Sequence, residues 1–313
     1  METGPERRPE GDPRFTLRQL ELFVAAAEHG SFAAAAQRAY VTPNAVSQAV
    51  TELEGVLGVV LAVRRRARGL TLTPAGTHLL EGARALLRQA TDLRLSVGEG
   101  AGAPSGPVAV GCYSTLAPTL VPELWERLAQ RYPDVDLTIE EGTTAELVEL
   151  LHAGRLDLLI AYEVALPPGL RSRPLFAAHP WVVLSRDHPL AGQRAVDLRD
   201  LADDPLVMFD LPPSGQNTLE LLRRRGVRPR VAHRTMDFEL VHSLVGRGMG
   251  YGIQFQRAEV EVSREGRPLA VLPITPAPDA EPVVVAWSER VPLTARASAV
   301  VEVAREFLSA PVG

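Results

Sequence analysis

The stretch from Leu17 to Val97 limits this chain most, because three short helix patterns, an arginine run and a heptad-spaced helix follow one another within it. Leu17, Leu20, Phe23, Val24 and Ala27 form one apolar helical stripe. His29-Gly30 then breaks the helix, and Ser31 stands where it caps the next one, which runs from Phe32 to Ala39. Tyr40 and Val41 make a tight connection. Thr42 is a good N-cap and Pro43 suits the first helical position, where its missing amide is no loss, so a third helix starts there. On it Val46, Val50, Leu53 and Leu57 share one face, while Asn44, Ser47, Gln48 and Thr51 recur at helical spacing on the other.

A solvent-facing helix usually carries Glu and Arg, and this polar face is nearly uncharged. Asn and Gln pair bidentately with adenine, Ser and Thr with several partners, and the second helix of a helix-turn-helix reads bases with its N-terminal residues. On the helix alone, a solvated face of small polar residues explains the pattern equally well. The next segment decides. Arg64-Arg65-Arg66-Ala67-Arg68-Gly69 lies between the apolar runs Val59 to Val63 and Leu70 to Leu72, which reads as a two-stranded wing with a basic, phosphate-seeking tip. The formal net charge is −5, yet residues 14–73 hold seven Arg against four Glu, so charge is segregated by domain.

From Pro74 a helix carries Leu79, Ala83, Leu86, Ala90, Leu93 and Val97 at alternating spacings of four and three, the seam of a coiled coil that joins two subunits. The alternative is an amphipathic helix packed on its own domain. Glycines and a proline follow from Gly98 to Pro107 as a linker. Beyond it, Val108 to Gly111, Val135 to Ile139 and Leu156 to Tyr162 read as strands separated by helices with the Leu116, Leu120, Leu124, Leu128 stripe and at Thr143 to Leu151, the pattern of an α/β fold with a parallel sheet. Further strands are expected at Trp181 to Ser185, Leu206 to Phe209, Arg230 to Ala232, Tyr251 to Phe255 and Val283 to Trp287. Helices are expected at Thr218 to Arg225, Glu239 to Arg247 and Ala297 to Leu308.

The N-terminal block resembles that of the LysR-type transcriptional regulators. Ser31-Phe32 followed by Ala35-Ala36, Ala45-Val46-Ser47, Leu53-Glu54, Leu57-Gly58-Val59 and Leu72-Thr73-Pro74-Ala75-Gly76 match the family's pattern at the second helix, the recognition helix and its end, and the exit from the wing. Two positions depart from it: Pro43-Asn44 stands where the family commonly has Gln-Pro, and Leu61-Ala62 where it has Leu-Phe. Leu156 to Tyr162, Asp187-His188-Pro189-Leu190-Ala191 and Leu244-Val245-Gly246-Arg247-Gly248-Met249-Gly250 resemble the same family's effector-binding domain. The resemblance implies a winged helix-turn-helix, a long linker helix and a two-lobe α/β domain similar to type 2 periplasmic binding proteins. The expected divisions are a flexible tail over 1–14, the DNA-binding domain over 15–73, the dimerisation helix over 74–97, a linker over 98–105 and the effector domain over 106–313. Lobe I is expected at about 106–162 and 289–313, and lobe II at about 163–288.

The rest of the sequence bounds the chemistry. All 33 basic residues are arginine, so Schiff-base chemistry and P-loop nucleotide binding are excluded. No metal-ligand spacing, nucleophile elbow or catalytic set is present, so neither a metal, a cofactor nor an enzyme is expected. The start reads as a tail and not a secretory signal, which leads to the expectation of a cytoplasmic bacterial protein that does not enter a membrane. Cys112 is the single cysteine and excludes an intrachain disulfide.

In open α/β sheets a ligand lies beyond the carboxyl ends of strands, where helix N-termini favour an anion. That places Cys112, Tyr113, Ser114, Thr115, Thr143, Thr144 and Tyr162 on the first lobe, and Asp210, Ser214, Thr235, Met236, Phe238, Tyr251 and Gly252 on the second, as effector candidates. The hydroxyls serve equally well as plain helix caps, and Cys112 as a small hydrophobe beside a strand. Arg223, Arg224 and Arg225 read as a solvated face.

The DNA-reading candidates are Ser31, Phe32, Thr42, Pro43, Asn44, Ser47, Gln48 and Thr51 with Arg64, Arg65, Arg66 and Arg68 of the wing. The expected function is a ligand-responsive regulator that binds a dyad-symmetric duplex DNA site and a small effector of open charge, anionic ones included. It would act as a dimer or tetramer, with RNA polymerase as a further partner. The alternatives are a solute-binding protein and a redox-responsive regulator using Cys112.

Overall fold

The computed structural model describes residues 15–65, 69–98, 103–257 and 260–308. Two compact units make up the chain, one reaching Gly102 and the other formed by Ala103–Leu151 with the residues from Leu156 onward.

The first unit contains α1 (Leu17–His29), α2 (Phe32–Ala39), α3 (Pro43–Leu57), β1 (Ala62–Arg65), β2 (Gly69–Leu72) and α4 (Pro74–Gly98). Each short helix is started by a side chain that satisfies a free amide. Thr16 and Gln19 form a reciprocal capping box on α1, the Ser31 hydroxyl accepts from the Ala34 amide at 3.0 Å, and the Thr42 hydroxyl from the Ala45 amide at 3.2 Å. Helix α1 is buried on two sides, because it sits between the other helices. Leu20 and Phe23 pack with Val50, Leu53, Leu61 and Ala83, while Leu22 and Ala26 pack with Ala35, Ala36, Val46 and Ala49. Leu17, expected in the buried stripe, is exposed, and so is Leu57 at 36%, since α3 ends beside it at the left-handed Gly58.

The wing forms as an antiparallel pair with Ala62 opposite Leu72 and Arg65 opposite Gly69. Its first strand is shorter than the apolar run that announced it. Val59, Val60 and Val63 are exposed and Leu61 is fully buried, because the amides of Leu61 and Ala62 donate to Glu54 Oε1 at 2.8 and 3.2 Å. That ties the start of the wing to α3 and not to a partner strand. At the wing's exit the Thr73 amide donates to the Leu61 carbonyl at 2.9 Å and its hydroxyl accepts from the Gly76 amide at 3.0 Å. Gly76 lies so close that a Cβ there would stand 2.0 Å from the Leu61 carbonyl oxygen.

The expected heptad seam is split. Leu79 and Ala83 pack into the unit's own core, whereas Leu86 and Leu93 are 40% and 66% exposed. Helix α4 runs on through Gly98, and the 1–14 tail and residues 99–102 of the expected linker lie outside the described residues, as do Arg66 and Arg68. The side chains of Arg64, Arg65 and Val97 lie outside them too.

The second unit runs β3 (Gly106–Tyr113), α5 (Ala117–Arg131), β4 (Val135–Gly142), α6 (Thr144–His152), β5 (Leu158–Tyr162), β6 (Leu170–Ala178), β7 (Trp181–Ser185), β8 (Pro205–Phe209), α7 (Ser214–Arg224), β9 (Arg230–Thr235), α8 (Phe238–Gly246), β10 (Gly252–Gln254), β11 (Leu269–Pro273), β12 (Glu281–Ser288) and α9 (Ala295–Leu308). One lobe is built on a five-stranded sheet of order β4-β3-β5-β12-β6. The other carries the sheet β10-β7-β11 and the parallel pair β8-β9.

The first sheet is mixed, not wholly parallel, since β12 runs antiparallel to both β5 and β6. Strands β6 and β12 therefore belong to the first lobe's sheet, although the sequence division put their residues in the second lobe. Strand β6 escapes a sequence reading because it is a largely exposed edge with Arg171, Arg173 and Pro174 in place of apolar alternation. Strand β11 was also not anticipated. No helix among the described residues is long and apolar enough to cross a membrane.

The Gly76 contact yields a paired test. Gly76→Ala must displace the wing from α4 and is expected to destabilise by about 1–3 kcal/mol, the usual range for overpacking. Gly82→Ala, on an exposed part of the same helix with open space around it, is expected to stabilise by up to about 1 kcal/mol through helix propensity. Denaturant titration of the two variants checks the opposite signs.

Candidate DNA-reading face and effector cleft

The start of α3 offers Thr42, Pro43, Asn44, Gln48 and Thr51 to solvent, with Ser47 half-buried. The Thr51 hydroxyl donates to the Ser47 carbonyl at 3.0 Å, so it is partly engaged within the helix. Gln48 Nε2 donates to Glu52 Oε1 at 2.9 Å, and Glu52 Oε2 accepts from Gln19 Nε2 at 2.7 Å. Glu52, outside the sequence-derived set, thus places a carboxylate on this face, and Gln48 must exchange that bond for any base it reads. Ser31 and Phe32 have structural work: Ser31 caps α2, and Phe32 packs against both cores of the unit.

Between the two lobes of the second unit lies a cavity of about 450 Å³. Four of its walls are aromatic. Tyr162 meets Phe255 edge to face at a centroid distance of 6.2 Å, and Phe209 meets Phe238 at 5.4 Å. Of the sequence-derived candidates, Ser114, Thr115, Tyr162, Ser214, Met236 and Phe238 line this cavity. The Thr115 hydroxyl oxygen is buried beside the Tyr162 phenol.

The remaining candidates sit elsewhere. Tyr113 is buried behind the cavity, its hydroxyl 3.0 Å from Ser214 Oγ and donating to the Leu211 carbonyl at 3.3 Å, a link from one lobe to the other. Burial pushes the phenols of Tyr113 and Tyr162 up. Thr143 is paired with Glu146 at the start of α6, where its amide and hydroxyl hold the Glu146 carboxyl below the usual carboxylate range. Thr144 is buried with an unpartnered hydroxyl. Asp210 pairs with Arg234 at 3.0 Å, and the Thr235 hydroxyl accepts from the Asp237 amide at 3.0 Å. Tyr251 is fully buried, its phenol pushed up to about 12 by burial and by Asp204. A Cβ on Gly252 would meet Val241 at 2.9 Å, so that position serves packing. Cys112 is fully buried in β3, and burial, with Glu141 nearby, pushes its thiol up to about 12.

Residues that sequence reasoning missed complete the walls: Pro118 and Thr119 of α5, Glu239 and His242 of α8, and Ile253 to Gln256 at β10. Glu239 and His242, three residues apart, share one face of α8, which is the only local signal that could have found any of them. Asp237 also lines the cavity, and its carboxylate accepts from the Glu239 and Leu240 amides at 2.9 and 3.3 Å. Helices α5 and α7 begin without a side-chain cap. Arg223 and Arg224 are exposed and paired with Glu220 at 2.7 and 2.9 Å, away from these walls. Among the described residues no group of three or more His, Cys, Asp and Glu is placed to hold a metal ion.

Comparison with known proteins matches both units. Residues 17–77 fit the family described as bacterial regulatory helix-turn-helix protein, lysR family, and residues 101–309 fit the LysR substrate binding domain. The HTH-type transcriptional regulator YvbU of Bacillus subtilis is 31% identical over 257 residues, which cover 81% of this chain and 84% of that protein. The transcriptional dual regulator OxyR of Escherichia coli is 32% identical over 194 residues, 62% of this chain and 63% of OxyR. The crystal structure of HinK, a LysR family regulator from Pseudomonas aeruginosa, aligns with a TM-score of 0.64 at 33% identity, covering 94% of this chain and 98% of HinK. With family matches over residues 17–77 and 101–309, the chain belongs to the LysR family of bacterial transcriptional regulators.

Proposed function

We propose that the protein reads a dyad-symmetric duplex site as a dimer and that a small molecule held between the lobes of its second unit sets that activity. The observation that carries the DNA reading is the exposed N-terminal face of α3, where Asn44, Gln48 and Thr51 stand free of the core on the helix that Glu54 ties to an arginine-rich wing. Base edges are within the chemistry of the first, and phosphates of the second. RNA polymerase is the natural further partner of a regulator seated at a promoter.

Dimerisation fits the exposed end of the α4 seam. Leu86 and Leu93 lie one heptad apart and outside the unit's own core, so a second copy of α4 is the surface that would cover them. Paired units then meet half-sites about 34 Å apart. A small effector is supported by the aromatic cavity, whose size suits a small organic molecule. Operator and effector then change one another's affinity by the same factor.

A peroxide response, as in relatives named hydrogen peroxide-inducible genes activator, finds less support. It needs a reactive thiolate, and Cys112 is buried with its thiol held protonated.

Three tests follow from this reading. Replacing Arg66 and Arg68 with alanine is expected to weaken specific and non-specific binding alike and to flatten the salt slope by roughly 1.8, whereas Asn44→Ala or Gln48→Ala is expected to change site preference by about 1–3 kcal/mol. Filter binding over a salt series, with selection from a random-site pool, separates the two; an unchanged slope removes the wing from the interface.

Leu86→Asp with Leu93→Asp is expected to give a folded monomer in ultracentrifugation that no longer reads two half-sites together. A double variant that stays dimeric assigns dimerisation to another surface.

Native Cys112 is expected to resist a disulfide reagent until the protein unfolds, and Cys112→Ala to leave any response to peroxide unchanged. Because folding raises this thiol from 9.0 to about 12, its contribution to stability is complete below pH 9 and is lost as the pH climbs toward 12. The alanine variant should lack that alkaline decline in a pH series of melts.

A further inference from the structure

The α8–β10 side of the cavity holds a relay that dictates what a ligand can present. His242 is buried, with Nδ1 3.2 Å from Glu239 Oε1 and Nε2 3.0 Å from Gln254 Oε1. Gln254 is 2% exposed and lines the cavity, and its Nε2 is buried with no hydrogen-bond partner. Two residues on, past the end of β10, Gln256 also lines the cavity and repeats the arrangement. Its Oε1 lies 2.7 Å from the Thr119 hydroxyl and its Nε2 is again buried without a partner. A buried amide nitrogen left unpaired is destabilising by about 1–3 kcal/mol, and a ligand acceptor removes that penalty.

The charge around this relay selects further. None of the described residues lining the cavity is an arginine, while Asp237 and Glu239 both line it. An anion drawn between the aromatic walls would lose its hydration beside the Asp237 and Glu239 carboxylates and gain no arginine to pair with. We propose that the cleft takes an uncharged, planar ligand whose hydrogen-bond acceptor, a carbonyl or its equivalent, meets the Gln254 amide nitrogen, and that His242 is the positioning residue that turns that nitrogen toward the cavity. This rests on the reading of the cleft as the effector site.

The positioning works through a proton. The Glu239 carboxylate only accepts, so Nδ1 carries a hydrogen. Nε2 carries a second hydrogen when Gln254 offers it an oxygen, and none when the amide is turned over and offers its nitrogen. The donor face is therefore presented to the cavity in the doubly protonated form, which an acceptor ligand favours. Of the strands packed against α8, β7, β8, β10 and β11 bring no charged side chain, and β9 brings Arg230, His233 and Arg234, the last paired with Asp210 at 3.0 Å. From the cavity itself, Asp237 and Tyr162 are the other titratable groups.

The test uses the full-length protein and three probes that share one ring: acetophenone as neutral acceptor, benzoate as anion and benzylamine as cation, with binding followed by ligand-observed NMR. Acetophenone is expected to bind best. Its affinity should fall as the pH is raised, because the form that binds it is the protonated one, and drop about threefold to tenfold in Gln254→Leu, as for one lost hydrogen bond. In His242→Gln the pH dependence should vanish, and Gln254→Glu, which offers oxygen in place of the amide nitrogen, should shift preference to benzylamine. Retained DNA binding by each variant serves as the check on folding. Benzoate binding more tightly than acetophenone, as the uncapped starts of α5 and α7 would favour, overturns the ligand class alone. Acetophenone binding that ignores pH in the native protein overturns the role of His242. A cleft that takes none of the three at millimolar concentration overturns both the inference and the cleft as effector site.

Discussion

Around Leu61, three elements of the first unit are held by hydrogen bonds that converge on one residue. Its amide, with that of Ala62, donates to the Glu54 carboxylate of α3, and its carbonyl accepts from the Thr73 amide at the entry to α4. Its side chain is wholly buried against Leu20, Phe23, Val50 and Leu53. The recognition helix, the wing and the long helix are therefore oriented by a single junction. Charge-assisted bonds of this kind are among the stronger ones in a protein, and their loss leaves backbone amides unpaired in the interior. The spacing between the base-reading face and the basic wing depends on this junction, so its influence reaches DNA without touching it.

The second unit makes its cavity in a different way. Tyr113 reaches from one lobe to Ser214 and Leu211 of the other, and Tyr162 stacks edge-on against Phe255 across the same gap. Those links set the width of the cleft, while the polar relay on α8 and β10 sets what it can hold. The two lobes contribute unequally: the first supplies hydroxyls and Tyr162, and the second supplies amides, carboxylates and the other three aromatic side chains. A ligand that bridges them gains contacts from both, which is how occupancy of the cleft acquires a preference for one arrangement of the lobes.

Much of this was legible along the chain where the signal is local. Ser31, Thr42 and Pro43 announced helix starts because capping involves residues three positions apart. The alternation of strand and helix after Val108 gave the α/β class, and Leu72-Thr73-Pro74-Ala75-Gly76 carried its reason in the close approach of Gly76 to Leu61. Ser114, Thr115 and Ser214 were found by the rule that ligands gather beyond strand ends. The same rule also swept in Thr143, Asp210 and Thr235, whose side chains turned out to be engaged with Glu146, Arg234 and Asp237.

By itself the sequence determined the element types apart from β6 and β11, the order of a helix-turn-helix, wing and long helix, and the family. All of these rest on periodicity, caps and short motifs that act within a few residues of chain. Only the tertiary structure decided which half of the α4 seam is used by the unit's own core, which lobe's sheet receives β6 and β12, and that Gln254, Gln256 and His242 face the cavity. These are long-range matters: Val283 pairs with Tyr162 and Thr119 meets Gln256 across more than a hundred residues. No local pattern encodes such a meeting, because it is fixed by how whole sheets and helices pack once each has buried its own apolar face.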